Sequence, residues 1–347
     1  TTTVNSGSGD VVLQSATNDF TGLVTLTGGT ILLHDVNDLL LGDVSGSSAS
    51  VTTGDALDLI GTLNAGAGTV TIEVNADGTG ADGFTMQSGS SIVTTNNTPD
   101  AVSITVNTMA GGTGRAHVAA ITAGTTTGPN GGRVTIDVSG GSITDANETA
   151  GNVTAGNLIL AAMGGVGSLA DPIESTVARV EGAGGTGGFY ILNTRSLVIG
   201  GIDSTRVGVV TTTGDINIQT NDAFTIAEDV RSTSGGDILL RAIDAFTGAE
   251  TLTLNAGVSV SSTSGNIDLE AGDDLTLIAG SHVATGGSIR IATDVMDADS
   301  GTGTSLTIAA ELDSGTGSSI SGGSDNDTYN IFYPENATNS GTVTIVD

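Results

Sequence analysis

The densest group of side chains that could bind a metal ion is acidic. Asp294, Asp297 and Asp299 are followed by Gly301, and carboxylate oxygens are ligands that Ca²⁺ prefers. The spacing is not that of an EF-hand, because Ile308 stands where the bidentate Glu would be needed. These three aspartates are therefore a candidate calcium-chelating loop, but a solvated loop between strands is the interpretation that we favour.

A second acidic segment lies near the end of the sequence, at 322–329 (GGSDNDTY). It resembles a single copy of the calcium-binding nonapeptide of repeats-in-toxin proteins, G-G-x-G-x-D-x-U-x. Asp327 and Tyr329 fall in register with that pattern, whereas Asp325 replaces its third glycine. The resemblance implies calcium at Asp325 and Asp327. Because one copy supplies fewer than the roughly six oxygens that Ca²⁺ needs, the alternative is a turn between strands.

Side chains that could carry out catalysis are sparse. Asp273 and Asp274 are adjacent carboxylates of the kind that glycosidases use, but they fall in a turn of an ordinary repeat. Arg195 and Arg206 are the candidates for a lyase that uses an arginine base and calcium on acidic sugars. The histidines are far apart in the sequence: His34, His117 and His282. No nucleophile, base and orienting group are spaced as one unit, so we expect a protein that is not an enzyme.

The composition excludes several classes of protein. The 347 residues include 54 Gly, no Cys and no Trp, and the formal net charge is -30. Without Cys there is neither a disulfide scaffold nor a thiolate metal site. The negative charge repels nucleic acid and anionic membrane surfaces, and no apolar run approaches the roughly 18 residues of a membrane span. We expect no nucleic-acid partner and no membrane insertion.

Internal repeats predict the architecture. A short motif recurs at intervals of 22, 29 and 22 residues, at 214–218 (GDINI), 236–240 (GDILL), 265–269 (GNIDL) and 287–291 (GSIRI). A second strand-like segment lies in each period, at 224–226, 252–254, 275–277 and 306–308. A third begins at Val230, Val258 and Val283. Short strands at a fixed period of 20–30 residues are typical of a solenoid.

In such a solenoid, equivalent residues of successive coils lie on top of one another. We expect one internal stack formed by Ile216, Ile238, Ile267 and Ile289. We expect a column outside the turn formed by Asp215, Asp237, Asn266 and Ser288. The predicted fold is all-β, a parallel β-helix with about three short strands per coil and no helix.

We expect one continuous solenoid over 1–347. It would have irregular, loop-rich coils at 1–207, regular repeats at 208–310 and a terminal coil at 311–347. The segments 109–132 and 164–188 read as loops, because Gly and Thr dominate the first and a run of Gly follows Pro172 in the second. Neither terminus shows an amphipathic cap. We therefore expect a segment of a longer chain, with end-to-end polymerisation as the alternative.

The repeats of 214–291, with their Leu-Thr-Leu partners, resemble those of filamentous-haemagglutinin-type adhesins. The resemblance covers about the C-terminal third of the chain and rests on low-complexity motifs. That family consists of large secreted bacterial surface proteins with right-handed parallel β-helices. The resemblance implies a right-handed helix, a location outside the cell or on its surface, and a role in adhesion or surface structure.

Three functions follow from the sequence. The first is a non-enzymatic, rod-like segment of a surface adhesin or a filament-forming subunit, which associates end to end or with neighbouring segments of a longer chain. The second is a polysaccharide lyase or hydrolase built on the same fold. The third is a calcium-dependent module that binds cell-surface glycans. We expect the first, with calcium as the one candidate cofactor.

Overall fold

The computed structural model describes residues 1–109, 111–244, 250–296, 303–323, 325–332 and 343–346. Within these ranges the chain is all-β and forms no helix, so no helix that could cross a membrane is found there. Residue contacts divide the chain into two units, 1–178 and 179–347. In each unit the strands pair in parallel, as a parallel β-helix requires.

The first unit contains twenty strands within its described residues. They are β1 (Thr2–Asn5), β2 (Val11–Leu13), β3 (Val24–Thr27), β4 (Thr30–Asp35), β5 (Leu39–Ser45), β6 (Ser48–Thr53), β7 (Leu57–Leu59), β8 (Thr62–Asn64), β9 (Val70–Val74), β10 (Phe84–Met86), β11 (Ser91–Thr94), β12 (Val102–Val106), β13 (Ala116–Val118), β14 (Ala120–Ala123), β15 (Arg133–Val138), β16 (Ser142–Asp145), β17 (Val153–Thr154), β18 (Asn157–Ala162), β19 (Gly165–Val166) and β20 (Ile173–Thr176).

The second unit contains nineteen strands within its described residues. They are β21 (Arg179–Gly185), β22 (Phe189–Asn193), β23 (Leu197–Ile199), β24 (Val209–Thr211), β25 (Ile216–Thr220), β26 (Phe224–Ile226), β27 (Val230–Ser232), β28 (Ile238–Ala242), β29 (Leu252–Leu254), β30 (Ser259–Ser262), β31 (Ile267–Ala271), β32 (Leu275–Leu277), β33 (His282–Thr285), β34 (Ser288–Ala292), β35 (Ser305–Ile308), β36 (Glu311–Ser314), β37 (Gly317–Ser321), β38 (Thr328–Ile331) and β39 (Val343–Val346).

The second unit has the three-strand coil that the repeats predict. One face stacks β25, β28, β31 and β34 in parallel, and the predicted isoleucines pair directly, each at most 1% exposed. The 224–226, 252–254, 275–277 and 306–308 segments stack as β26, β29, β32 and β35. A third face stacks β27, β30 and β33. The predicted fold class and the isoleucine stack are confirmed; handedness and one continuous solenoid over the whole chain remain predictions.

Each position of the repeated motif has its own physical reason. A Cβ on Gly236 would collide with the carbonyl oxygen of Gly214 in the coil below, so only glycine fits. The next residue, Asp237, is exposed, and its Oδ1 accepts the backbone N–H of Asn266 in the following coil at 2.7 Å. The residue after that, Ile238, fills the core. Glycine, acceptor and core residue are therefore three separate requirements of stacking.

We call this contact, in which an Asp or Asn side chain accepts a backbone N–H of a neighbouring coil, the corner clamp. In the predicted exterior column, Asp215 binds the N–H of Asp237 at 2.9 Å and Asn266 binds that of Ser288 at 3.1 Å. The same clamp recurs at exposed corners of both units, at distances of 2.8–3.0 Å. The other carboxylates that form it are Asp10, Asp38, Asp43, Asp229 and Asp274.

The early coils of the first unit differ from the predicted three strands. There β5 faces both later strands, since Leu39 pairs with Leu57 of β7 and Val44 pairs with Leu63 of β8. One long strand with a bulge between Leu41 and Val44 therefore occupies the place of two short strands. The coils that begin at β7 have three strands.

The prediction of loops at 109–132 and 164–188 is only partly correct, because both segments also contain strands. The first segment contains β13 and β14, and the second contains β19, β20 and β21. Their inward positions include small residues such as Ala116 and Ala123, which are buried but give almost no hydrophobic pattern in the sequence. The ladder to neighbouring coils, for example Phe84 against Ala116, supplies the order that local propensity does not.

Truncation of the isoleucine stack should destabilise the second unit. Ile238→Ala leaves a cavity between two coils, and we expect the free energy of unfolding to fall by about 2–5 kcal/mol. Val210→Ala, at a position 39% exposed, should change it by less than about 0.5 kcal/mol. Guanidinium denaturation followed by circular dichroism measures both. Equal losses would contradict the assignment of Ile238 to the core.

The corner clamp should depend on the acceptor oxygen and not on the charge. Asp237→Ala removes the acceptor, and we expect the free energy of unfolding to fall by about 0.5–1.5 kcal/mol. Asp237→Asn keeps an oxygen, as Asn266 does naturally in the same column, and should be close to wild type. The same denaturation experiment tests both variants. If the Asn variant lost as much stability as the Ala variant, charge would be the contribution that matters.

Candidate functional site

Two of the predicted calcium ligands meet at a pair of glycines. A Cβ on Gly322 would collide with Oδ2 of Asp327, and a Cβ on Gly323 would collide with the carboxylate of Asp294. Gly323 has a φ of 97°, and Asp294 itself has a φ of 58° and is 7% exposed. The structure therefore brings Asp294 and Asp327 to adjacent residues of the chain, although the two are 33 positions apart in the sequence.

Asp327 is held firmly on one side and lacks a bond on the other. Its Oδ1 accepts the backbone N–H of Thr304 at 2.9 Å and the Thr304 hydroxyl at 3.1 Å. That hydroxyl lies 2.7 Å from the hydroxyl of Thr293, the residue before Asp294. The Oδ2 of Asp327 is buried and has no hydrogen-bond partner among the described residues. Such an oxygen is available to a cation or a proton.

Of the remaining predicted ligands the structure describes only Asp325. Asp325 is half-buried, two residues before Asp327. Asp297 and Asp299 lie outside the described residues. In the part of the chain that the structure describes, no three His, Cys, Asp or Glu side chains form a group that could hold a metal ion. Calcium at this corner stays a prediction.

Asp273 and Asp274 each bond to backbone. Oδ2 of Asp273 accepts the N–H of Glu250 at 2.6 Å, and Oδ1 of Asp274 accepts that of Ser305 at 2.8 Å. One carboxylate bonds to the chain 23 residues before it, and the other to the chain 31 residues after it. The two adjacent carboxylates therefore join their turn to one preceding and one following segment of the chain.

The histidines and the two arginines considered for catalysis occupy separate elements. His34 lies on β4, His117 on β13 and His282 on β33. Nδ1 of His117 lies 2.9 Å from the hydroxyl of Thr144 on the adjacent strand. Arg195 precedes β23, and Arg206 lies in the segment between β23 and β24.

Sequence analysis missed three glutamates whose pKa values are raised: Glu181 and Glu250 are buried, and Glu174 is half-buried. Burial raises the pKa of Glu174 and of Glu181 to about 7 and that of Glu250 to about 6. In the sequence none of the three glutamates belongs to a repeated or ligand-binding motif. Only the stacking of coils removes them from water, so no local signal could have identified them.

Glu181 and Glu228 both bind the loop 201–208. The Glu181 carboxylate, which is fully buried, accepts the N–H of Ile202 at 2.6 Å and that of Asp203 at 3.1 Å. The Glu228 carboxylate accepts the N–H groups of Gly201 and Gly208 at 3.0 and 2.8 Å. The two glutamates thus bind both ends of the segment 201–208, and burial rather than a charged neighbour is the main cause of the raised pKa of Glu181.

Comparison with known proteins gives no relative: no protein-family model, no curated protein and no solved structure matches this chain.

The raised pKa of Glu181 predicts a pH-dependent stability. Because its pKa of about 7 is above the ordinary 4.5, folding takes up a proton, and the free energy of unfolding rises as the pH falls from 7 towards 4.5. Glu181→Gln removes this proton uptake. We expect the variant to be more stable than wild type at pH 8, with a smaller difference at pH 5, in thermal melts followed by circular dichroism.

Asp222→Asn is the matched control for this experiment. The backbone N–H of Ala223 lowers the pKa of Asp222 below its ordinary 3.8, so this group stays ionised from pH 5 to pH 8. Its loss should leave the slope of stability against pH unchanged in that range. A Glu181→Gln variant with the wild-type slope would show that Glu181 is ionised in the folded protein throughout.

Proposed function

We propose that this chain is a non-enzymatic structural or adhesive protein of the cell surface or extracellular space, acting as a rod-like segment of an adhesin or as a filament-forming subunit. The observation that carries the proposal is the use of the polar side chains. The carboxylates at the coil corners accept backbone N–H groups of neighbouring coils, as Asp215, Asp237 and Asp274 do. Because these carboxylates already bind backbone N–H groups, their arrangement favours a structural role over a catalytic one.

The stacking supports a load-bearing role. In the second unit, parallel backbone ladders on three faces join successive coils, as between β28 and β31, β29 and β32, and β30 and β33, and the interior ladders of Ile, Leu and Val are almost fully buried. Separation of two coils would break these ladders and the corner clamps together. Many weak bonds that must break at once resist force better than the same bonds broken one by one.

The strands at the edges of the stacks support association with further coils. Among the described strands, β1 pairs only with β3, and β39 pairs only with β37. An edge strand offers unpaired N–H and C=O groups to another strand. A second copy and an adjoining segment of a longer chain would both satisfy it.

Calcium is part of the proposal at one position. Asp294 and Asp327 meet at the glycine pair 322–323, and the buried Oδ2 of Asp327 has no partner among the described residues. A cation there would join the end of β34 to the start of β38. The same observation supports the second candidate function, a calcium-dependent module for glycans, which requires sugar binding without turnover.

Electron microscopy of the purified chain tests the structural proposal. With calcium present we expect filaments of chains joined end to end, because edge strands pair between copies. Chelation should shorten these filaments in wild type. The variant Asp327→Asn should form short filaments whether or not calcium is present.

The other outcomes separate the parts of the proposal. Filaments indifferent to chelator would keep the structural role and remove calcium from it. Single particles in both conditions would contradict self-association. Release of sugar products from a panel of acidic glycans would contradict the non-enzymatic role, whereas chelator-sensitive glycan binding without products would favour the second candidate.

A further inference from the structure

The segment 201–208 lies between β23 and β24 of the second unit, and two glutamates bind its backbone. The Glu228 carboxylate accepts the N–H groups at both ends of the segment, at 3.0 and 2.8 Å. The Glu181 carboxylate accepts the next two, those of Ile202 and Asp203, at 2.6 and 3.1 Å. Because consecutive N–H groups bind to the two carboxylates, both carboxylates lie against the same turn of the chain. We call this segment the strap.

Glycines lie at both ends of the strap. Gly201 and Gly208 have φ values of 76° and 70°, in the left-handed region that glycine enters without the steric cost of a side chain. Gly200, just before the strap, has a φ of 110°. Between these ends Val207 is 59% exposed. Since a hinge is a short segment that absorbs changes of φ and ψ, these glycines allow the strap to move while the neighbouring strands stay paired.

The charge of Glu181 is costly when the strap is closed. Its side chain is fully buried, and burial disfavours the charged form of a carboxyl group. Glu228 and Asp203, which interact with it electrostatically, are both negative. The guanidinium group of Arg179, on the same strand as Glu181, donates to the carbonyl oxygen of Gly201 at 2.7 Å. The other charged residues of the strap and of the segment 228–232 beside it are Arg206, Asp229 and Arg231.

We propose that the strap is a pH-sensitive device, which stays closed over Glu181 while that carboxyl group holds a proton and opens when the group ionises. In the closed strap the protonated group still has a carbonyl oxygen that accepts backbone N–H groups, and it places no charge in the interior. Ionisation adds a second negative charge beside that of Glu228. Opening brings water to this charge, which lowers its free energy.

The direction of the pH response follows from the proton that the closed strap retains. Burial raises the pKa of Glu181 from 4.5 to about 7, whereas in the open strap the group is hydrated and closer to its ordinary pKa. Closing therefore takes up a proton and becomes less favourable as the pH rises from 4.5 towards 7. From these two pKa values, the population of the open strap should rise at least about tenfold between pH 5 and pH 8.

Hydrogen–deuterium exchange of the full chain, followed by mass spectrometry of its peptides, tests the proposal. Exchange rates are divided by the intrinsic rate at each pH, so that only opening is compared. In wild type, the peptide that covers the strap should lose protection at least about tenfold from pH 5 to pH 8. The peptide that covers β25 should lose far less, because its isoleucines lie in the buried stack.

Glu181→Gln keeps an acceptor oxygen but cannot ionise, so protection of its strap should not change between pH 5 and pH 8. Asp222→Asn is the matched control and should respond to pH as wild type does, because Asp222 stays ionised over this range. Protection of β25 shows that each variant is folded.

Three results would overturn the proposal. The first is a wild-type strap with the same protection at both pH values. The second is equal loss of protection in the strap and in β25, which would mean that the whole unit opens. The third is a Glu181→Gln variant that keeps the wild-type pH response, which would assign the response to another group. None of these measurements depends on calcium or on filaments, so the strap and the proposed function can fail separately.

Discussion

The parallel backbone ladder between successive coils is the constraint on which the rest of each unit depends. In an in-register ladder every residue lies directly above its equivalent in the coil below, so each position must be compatible with its own copy. Isoleucine meets isoleucine along 216, 238, 267 and 289, and glycine meets glycine where the backbones come too close for a Cβ. The motif recurs in the sequence because equivalent positions of successive coils must be compatible with one another.

The same constraint gives the acidic residues a structural role. A turn between two strands leaves backbone N–H groups outside the ladder, and a short carboxylate or amide from the adjacent coil reaches them. At the surface this costs little, because Asp237 and Asp215 remain in water. In the interior it costs more, because Glu181 accepts its backbone donors while fully buried. The large negative charge thus arises in part because carboxylates accept the backbone N–H groups at the turns between strands.

The sequence predicts the fold best where the repeats are most regular. Ile216, Ile238 and their equivalents could be placed because a large apolar residue recurs beside a glycine and an acceptor. Strands such as β13 and β14 could not, since alanine fills one of the two inward positions of each strand and leaves a single large apolar residue, which is too short a pattern to recognise. Their position is determined by the neighbouring coils rather than by their own residues.

The sequence identifies the residues of one candidate site and misses those of another. Asp294 and Asp327 were identified from local motifs, and the structure brings both to the 322–323 glycines. Glu181 and Glu228 lie 47 residues apart in the sequence and neither belongs to a motif, although both bind the segment 201–208. A site built between coils depends on the length of each coil, and that length cannot be read from the residues that form the site.

The corner clamp is indifferent to how much chain lies between its two partners. The periods at Asp215, Asp237 and Asn266 are 22 and 29 residues, yet the acceptor meets its N–H at 2.9 and 2.7 Å in both cases. Extra residues can therefore enter a coil between corners without disturbing the corner itself. A gene of this kind can lengthen by duplication of whole coils and diversify by insertions, and the aspartates keep every new coil in register with the last.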